Sequence, residues 1–133
     1  MANFTTVNNF TTDCLLGNHI VGTHTFKWML SAVAPVATNA VKTDITEIAS
    51  GNGYSAGGPT TTVTKSLTGG STKLLASSVT VTATGAVPSF RYEILYNSTT
   101  NKLIGWQDHG STVTLASTDT HTIDGHLGVL TLG

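Results

Sequence analysis

The chain has few charged residues and a single cysteine. Of its 133 residues, six are Lys or Arg and seven are Asp or Glu, which gives a net charge of −1. The basic residues are scattered, so they form no cluster of the kind that binds nucleic-acid phosphates. The one thiol, Cys14, cannot close an internal disulfide, and the neighbouring Leu15 and Leu16 predict that it is a small buried side chain. We therefore expect no disulfide framework and no nucleic-acid partner.

Long apolar runs and sorting signals are also missing. No segment approaches the about 18 consecutive apolar residues that a transmembrane helix needs. The start of the chain, Met1-Ala2-Asn3-Phe4, has neither a basic leader nor an apolar stretch, so no signal peptide is visible. These absences predict a protein that has no membrane partner. It is expected to be made in a cytoplasm and either to stay there or to leave inside an assembly.

Threonine is abundant, with 26 residues. Its β-branched side chain stiffens an extended backbone and packs well on a pleated surface, and its hydroxyl adds polarity without charge. Residues 23–31 alternate as a strand does, and with the segments from Thr60 onward they make about eight short strands separated by turns. Among these segments, residues 85–88 predict a turn, residues 97–101 a hairpin loop of about five residues, and residues 113–115 a separate short strand. The pattern predicts a single β-rich domain over residues 1–133. Its expected fold is mainly β, an antiparallel β-sandwich or small barrel with one or two short helices.

Four segments carry local signals of other kinds. Residues 4–17 predict a short helix or turn, with Thr11 or Thr12 as the N-cap and Gly17 as the end. Residues 44–49 predict one helical turn capped by Thr43 or Asp44. Residues 50–59 contain four glycines and one tyrosine, so this loop is either flexible or held in unusual backbone angles by a neighbour. Gly105, inside a predicted strand, indicates a bulge or a close backbone approach.

No motif for catalysis is present. The sequence has no Gly-x-Ser-x-Gly elbow, no His-Glu-x-x-His and no phosphate-binding Gly-Lys-Thr loop. Paired-carboxylate chemistry is also not expected, because Glu47 lies in the predicted helical turn and Glu93 is predicted to pair with Arg91 or to face solvent. The sequence therefore predicts neither an enzyme nor a cofactor.

Histidine is the one possible source of a metal site. Two pairs are separated by five residues, namely His19 with His24 and His121 with His126. On a strand such residues point to opposite faces, so neither pair is a ready chelate. A loose group of acidic and imidazole side chains lies in the C-terminal third: Asp108, His109, His121, Asp124 and His126. This group could bind a divalent metal if its loops fold together, but we expect surface residues in turns and predict no metal site.

A glycan-binding β module is an alternative, because small β-sandwiches often present Trp and Tyr to sugar rings. Tyr92 and Trp106 occupy alternating strand positions, which predicts that they pack in the core. Tyr54, in the glycine-rich loop, is the aromatic residue that we expect to be exposed.

Several short strings, in their order and spacing, carry a resemblance to a known family. They are Ala34-Pro35-Val36-Ala37-Thr38-Asn39, Asp44-Ile45-Thr46-Glu47-Ile48-Ala49, Gly51-Asn52-Gly53-Tyr54, Ala56-Gly57-Gly58, Phe90-Arg91-Tyr92, Leu95-Tyr96-Asn97, Leu103-Ile104-Gly105-Trp106, Asp108, Gly110-Ser111, Thr122-Ile123-Asp124 and Leu127-Gly128-Val129-Leu130. From about residue 4 to the C-terminus, the chain resembles a family of small structural proteins of tailed bacteriophages. It departs from the family near its end, where only Asp124-Gly125-His126 stands between Ile123 and Leu127, so a tighter last hairpin is expected.

The resemblance implies a virion component that performs no chemistry. The expected role is a capsid decoration or cement protein on the capsid exterior, assembled in the host cytoplasm. Its expected partners are the major capsid protein and copies of itself, as a homo-oligomer. A tail or head–tail joining protein is the alternative within virions, because residues 60–84 could supply the long hairpin that a tail-tube subunit uses for ring stacking.

Two segments are expected to reach neighbouring subunits, namely an N-terminal arm at residues 1–10 and the glycine-rich loop at residues 50–59. Many weak contacts, repeated by symmetry, would then hold the protein on the capsid. The candidate interface residues are Phe4, Phe10, Asn52, Tyr54 and Pro59. The simpler interpretation is that Phe4 and Phe10 fold back onto the protein's own core, and that residues 50–59 are only a long loop.

Overall fold

The computed structural model describes residues 4–69, 71–123 and 130–132. The chain is mainly β, with antiparallel sheets and a short α-helix, in agreement with the predicted fold class. The strands are β1 (Phe4–Thr6), β2 (Phe26–Ser31), β3 (Thr60–Thr61), β4 (Val63–Thr68), β5 (Ser71–Ala76), β6 (Val79–Thr82), β7 (Val87–Asn97), β8 (Lys102–Leu115), β9 (Thr120–Ile123) and β10 (Leu130–Leu132). Helix α1 spans Phe10–Leu15, and a 3₁₀ turn spans Lys42–Asp44. Within these described ranges, no helix has the length and apolar character that crossing a bilayer requires.

The strands form three sheets. The largest has five strands in the order β1-β8-β7-β2-β3, a second has the order β10-β5-β4, and β6 pairs with β9. Residues directly opposite each other in an antiparallel pair share a face of the sheet. Phe4 lies opposite Gln107, Gln107 opposite Glu93, and Glu93 opposite Leu30, so these four residues form one row across the large sheet.

The face that carries this row is covered by the two smaller sheets, which makes the fold sandwich-like. Phe26, Trp28 and Leu30 alternate along β2 and are fully buried, as the sequence predicts. Leu74 of β5 lines the same cavity as Phe26. From the other small sheet, His121 of β9 contacts Glu93. Buried side chains of all three sheets therefore form one apolar core.

The N-terminal segment lies on the body of the protein. β1 pairs with β8 at the edge of the large sheet, and the Phe4 ring meets Trp28 edge to face, with 6.3 Å between the ring centroids. At Gly105, an added Cβ would lie 2.2 Å from the carbonyl oxygen of Thr5 and 2.7 Å from the Phe4 ring. The predicted close approach at Gly105 is therefore confirmed. The expectation of a projecting arm is wrong for residues 4–10, and residues 1–3 lie outside the described ranges.

Helix α1 confirms a short helix within residues 4–17, but residues 4–6 form β1 instead, and the predicted cap is wrong. The N-cap position is Asn9, so Thr11 and Thr12 lie inside the helix rather than before it. Gly17 follows the helix with φ at +78°, the left-handed conformation expected of a glycine that ends a helix.

The helical turn predicted at residues 44–49 lies earlier in the chain, at Lys42–Asp44. The Asp44 carboxylate accepts hydrogen bonds from the backbone N–H groups of Ala40 (2.9 Å) and Val41 (3.1 Å). These bonds hold the pKa of Asp44 below its ordinary value. Asp44 thus stabilises the turn at its end. The backbone is extended at the next residue, Ile45.

The hairpin of β7 and β8 confirms the predicted loop after Asn97 but is longer than expected. The side-chain oxygen of Asn97 accepts hydrogen bonds from the N–H groups of Thr99 (2.9 Å) and Thr100 (3.2 Å), which fixes the turn. Val87 pairs with Leu115, so the predicted turn at residues 85–88 is partly strand and residues 113–115 belong to β8. Register shifts along the hairpin allow this extended pairing.

Candidate functional site

The five candidate interface residues differ in their exposure. Phe10 and Tyr54 are 1% and 2% exposed and belong to the core, and Phe4 is half-buried against it. Asn52 is exposed and Pro59 is half-buried. The Asn52 amide donates a hydrogen bond to the carbonyl oxygen of Ala86 at 2.7 Å, so even this surface side chain is bonded within the chain.

The expectation that Tyr54 is exposed is wrong: the ring is buried, and the half-buried carboxylate of Glu47 holds its hydroxyl. The Tyr54 hydroxyl donates to Glu47 Oε2 at 2.5 Å and accepts from the N–H of Leu30 at 3.1 Å. Glu47 Oε2 also accepts the N–H of Gly57 at 2.6 Å. Burial and the bond to Glu47 raise the pKa of Tyr54 far above its ordinary value. We call Glu47, Tyr54 and Gly57 the loop cluster; it fastens the glycine-rich loop to the sheet.

The glycines of this loop are held by close neighbours. Gly58 has φ at +80°, and a Cβ there would lie 1.7 Å from the carbonyl oxygen of Trp28. Gly53 has φ at +98°, and a Cβ there would lie 2.1 Å from the carbonyl oxygen of Thr82. The Tyr96 hydroxyl donates to the carbonyl oxygen of Gly57 at 2.7 Å, and burial raises its pKa to about 12. Of the two predicted behaviours of the loop, restraint in unusual backbone angles is confirmed.

A different part of the surface is apolar and exposed. Leu15 and Leu16, at the end of α1, are 84% and 71% exposed, and Ile20 is 45% exposed. Leu67 on β4 is 72% exposed. We call these four residues the α1 apolar surface. Ile20 also lines a cavity of about 410 Å³, together with Cys14, Gly17, His19, Val21, Phe26, Lys65 and Leu74. In the chain, Leu15 and Leu16 lie between the lining residues Cys14 and Gly17, and Leu67 follows Lys65 by two residues.

The cysteine and histidine in this cavity do not form a reactive pair. Cys14 is half-buried, and burial together with the nearby Asp13 raises the pKa of its thiol, which disfavours the nucleophilic thiolate. Burial lowers the pKa of His19 to about 4, although the Asp13 carboxylate partly opposes that effect. His19 is therefore a neutral packing residue at physiological pH.

The Asn97 side chain organises the loop above this cavity. Its amide nitrogen donates to the carbonyl oxygen of Asn18 at 2.9 Å and to His24 Nδ1 at 2.8 Å. His24 Nδ1 also accepts the N–H of Ile20 at 3.2 Å, so the ring accepts hydrogen bonds at this nitrogen. The buried asparagine thus joins residues 18–24 to the end of β7.

A second polar cluster crosses the core between the large sheet and β9. Glu93 is 2% exposed, and its Oε1 accepts a hydrogen bond from Gln107 Nε2 at 2.6 Å. Its Oε2 lies 2.5 Å from Nε2 of the buried His121. His109 follows Gln107 by two residues on β8 and is exposed; its ring meets His121 edge to face, with 5.2 Å between centroids. We call Glu93, Gln107, His109 and His121 the imidazole cluster.

The predicted pairing of Glu93 with Arg91 is wrong. Arg91 Nε and Nη2 instead donate to the two carboxylate oxygens of Asp108, at 2.7 and 3.0 Å. The Arg91 guanidinium and the N–H of Gly110 hold the pKa of Asp108 below its ordinary value. A register shift between Phe90 and Tyr92 interrupts the alternation on which the prediction depended, because a bulge re-aims the side chain beside it.

The loose acidic and imidazole group predicted from the sequence is thus brought together only in part. His109 and His121 meet, Asp108 is bonded to Arg91 instead, and Glu93 supplies the carboxylate that the prediction missed. Asp124 and His126 lie outside the described residues. Only the register of β7 against β8 and the packing of β9 over them could have identified Glu93, and neither is visible in the sequence.

Comparison with known proteins finds no family model, no curated protein and no solved structure that matches this chain. The resemblance to phage structural proteins therefore stays a prediction, and the function has to be argued from the molecule itself.

Proposed function

We propose that this chain is a non-enzymatic structural protein of a tailed-phage virion, a capsid decoration protein that binds the major capsid protein and stabilises the head. The observation that carries the proposal is the α1 apolar surface. Leu15 and Leu16 are 84% and 71% exposed, although burying a leucine side chain contributes about 1.5–3 kcal/mol. Apolar patches on a folded surface mark sites of association.

The surroundings of the α1 apolar surface favour a polypeptide as the partner. The cavity beside it, about 410 Å³ in volume, has an apolar lining that includes Phe26 and Leu74. Such a cavity can accept an apolar side chain of a partner, as the central pockets of protein interfaces do. The chain as a whole has only 13 charged residues, so copies crowded on a lattice repel each other little.

Rigidity supports the same role. The glycine-rich loop is fastened by the loop cluster, and β1 is paired with β8, so the predicted arm and loop belong to the body. A rigid body loses little conformational freedom on binding, and repeated weak contacts add up on a symmetric shell. The proposal therefore assigns the capsid contact to the α1 apolar surface and not to residues 4–10 or 50–59.

The alternatives have weaker support. The hairpin of β4 and β5 gives some support to a tail or head–tail joining protein, but its strands are only six residues long and β6 leaves it to pair with β9. The glycan-binding alternative depended on an exposed Tyr54, and this ring is buried.

A binding experiment tests the proposal with a matched control. Purified chain is added to head shells of its phage that lack the protein, and bound chain is measured after sedimentation. We expect Leu15→Ser combined with Leu16→Ser to lower the affinity by more than about tenfold, because two exposed apolar contacts are lost. Val33 and Val36 are also exposed, each at 54%, but lie outside the α1 apolar surface, so Val33→Ser with Val36→Ser should bind normally. Failure of the unaltered chain to bind heads would contradict the proposed function.

A further inference from the structure

The imidazole cluster has a donor set that the partner-binding role does not use. Glu93, His109 and His121 each offer one nitrogen or oxygen atom, and these three atoms lie within 4.8 Å of one another. Imidazole nitrogens with one carboxylate oxygen are the ligands of many Zn²⁺ and Fe²⁺ sites. We propose that Glu93, His109 and His121 bind one divalent first-row transition metal ion.

Two of the three ligands are already in place. Glu93 and His121 are buried, and their facing atoms, Oε2 and Nε2, are 2.5 Å apart. Around a tetrahedral zinc ion, ligand atoms about 2.0–2.1 Å from the metal stand about 3.3 Å from one another. The two atoms therefore have to move only slightly apart for an ion to bind between them. Two metal–ligand bonds then replace their direct contact.

The third ligand can close on the ion without disturbing the core. His109 is exposed, so its ring is free to change rotamer, and it already lies against His121 with 5.2 Å between the ring centroids. Moving its donor nitrogen from within 4.8 Å of the other two donors to about 3.3 Å requires a side-chain rotation only. One coordination position of a tetrahedral ion then remains on the solvent side, where a water molecule can bind.

Gln107 orients the carboxylate for this purpose. Its amide donates to Glu93 Oε1 at 2.6 Å, which leaves Oε2 as the oxygen that faces His121. Hydrogen-bonded partners that fix a ligand in this way are typical of metal sites and contribute to their affinity. Gln107 is thus a positioning residue and not a ligand.

The donor chemistry selects the class of ion. Two imidazoles suit Zn²⁺, Co²⁺, Ni²⁺ and Fe²⁺, whereas Ca²⁺ and Mg²⁺ prefer oxygen ligands. Each ring must present an unprotonated nitrogen to the ion. The bound ion would join β7 and β8 of the large sheet to β9 of the two-stranded sheet and so clamp the sandwich.

Metal titration of the purified chain tests this proposal. We expect isothermal titration calorimetry to show one Zn²⁺ per chain, Zn²⁺ to raise the melting temperature, and Co²⁺ to give the visible absorption of a tetrahedral site. Ca²⁺ and Mg²⁺ should cause none of these changes. His109→Ala should lower the zinc affinity by more than about tenfold, since loss of a ligand costs at least as much as loss of a residue that orients one. Because His109 is exposed, this variant should fold normally.

Two further variants make the result decisive. Glu93→Gln keeps the shape of the side chain and removes its charge, and it should also lower the zinc affinity by more than about tenfold. His24→Ala removes an imidazole that is bonded to Asn97, outside the cluster, and should leave the affinity unchanged. The absence of saturable zinc binding, or zinc binding that His109→Ala leaves intact, would overturn the proposal. Neither result bears on capsid binding, which involves other residues.

Discussion

The loop cluster and the imidazole cluster each place a glutamate against the large sheet, yet they differ in what remains accessible. Glu47 is half-buried and is bonded to the Tyr54 hydroxyl and to the N–H of Gly57, both of which belong to buried residues of the glycine-rich loop. Glu93 is bonded to Gln107 and His121, and the exposed ring of His109 stands beside them. A carboxylate that is bonded to buried groups is therefore not by itself a site. The loop cluster holds the glycine-rich loop against the sheet, whereas the imidazole cluster includes an imidazole nitrogen donor, on His109, that solvent and ions can reach.

The largest loss of stability is expected where the glycine-rich loop packs closely against β2. In Gly58→Ala the new Cβ would lie 1.7 Å from the Trp28 carbonyl oxygen, at a φ of +80°, so the loop must move away from β2. We expect the free energy of unfolding, measured by chemical denaturation, to fall by about 3–5 kcal/mol. Gly17→Ala is the matched control, since its φ is +78° but its Cβ meets nothing within 4 Å; it should cost about 1–2 kcal/mol. Equal losses in the two variants would show that the loop is not held by close packing.

Removal of one hydroxyl from the loop cluster should have an intermediate effect. Tyr54→Phe leaves the Glu47 carboxylate and the Leu30 N–H each without one hydrogen bond. We expect a loss of about 1–3 kcal/mol in unfolding free energy, because unsatisfied buried groups keep their desolvation cost. The stability change should be the same with and without Zn²⁺. A Tyr54→Phe protein that loses its response to Zn²⁺ would contradict the separation of the two clusters.

His19 extends the comparison to a half-buried imidazole that lies against the rings of Phe10 and Phe26. Its pKa falls from 6.5 in the unfolded chain to about 4 in the folded protein. The unfolded chain therefore binds more protons between these values, so the stabilisation is complete above about pH 6.5 and is lost as the pH falls to 4.

Unfolding of the unaltered chain and of His19→Gln across this pH range measures the effect. We expect the difference in unfolding free energy between the two proteins to change by about 1–2 kcal/mol, a value reduced for the partial exposure of the ring. A difference that stays constant with pH would show that His19 is not held neutral by burial.

The smallest effect on stability is expected at the open end of the imidazole cluster. His109→Ala removes an exposed ring, so the metal-free protein should unfold within about 0.5 kcal/mol of the unaltered chain. With saturating Zn²⁺, the unaltered chain should gain stability and the variant should not. A metal-free loss as large as that of Tyr54→Phe would show that His109 is a packing residue.

The sequence predicts features that depend on neighbouring residues along the chain. The strand within residues 23–31, the turn after Asn97 and the constraint at Gly105 are each visible in a few consecutive residues, and the structure confirms them. The mainly β class follows in the same way from threonine content and turn spacing.

Features that depend on the register between distant strands were missed. Tyr54 is buried because Glu47 and the backbone of Leu30 meet its hydroxyl, and Glu93 joins His121 across 28 residues. A bulge near Arg91 interrupts the alternation of β7, so Glu93 does not pair with Arg91 as predicted. The α1 apolar surface was also missed, because the run of Cys14, Leu15 and Leu16 resembles a core segment until the end of α1 turns two of the three side chains to solvent.

If the chain is a virion protein as proposed, quantitative protein composition of the separated heads and tails of its phage tests the central claim most directly. If the chain is a capsid decoration protein, mass spectrometry should find it in the head fraction, in a fixed ratio to the major capsid protein. Recovery only with tails, or absence from complete particles, would contradict the account.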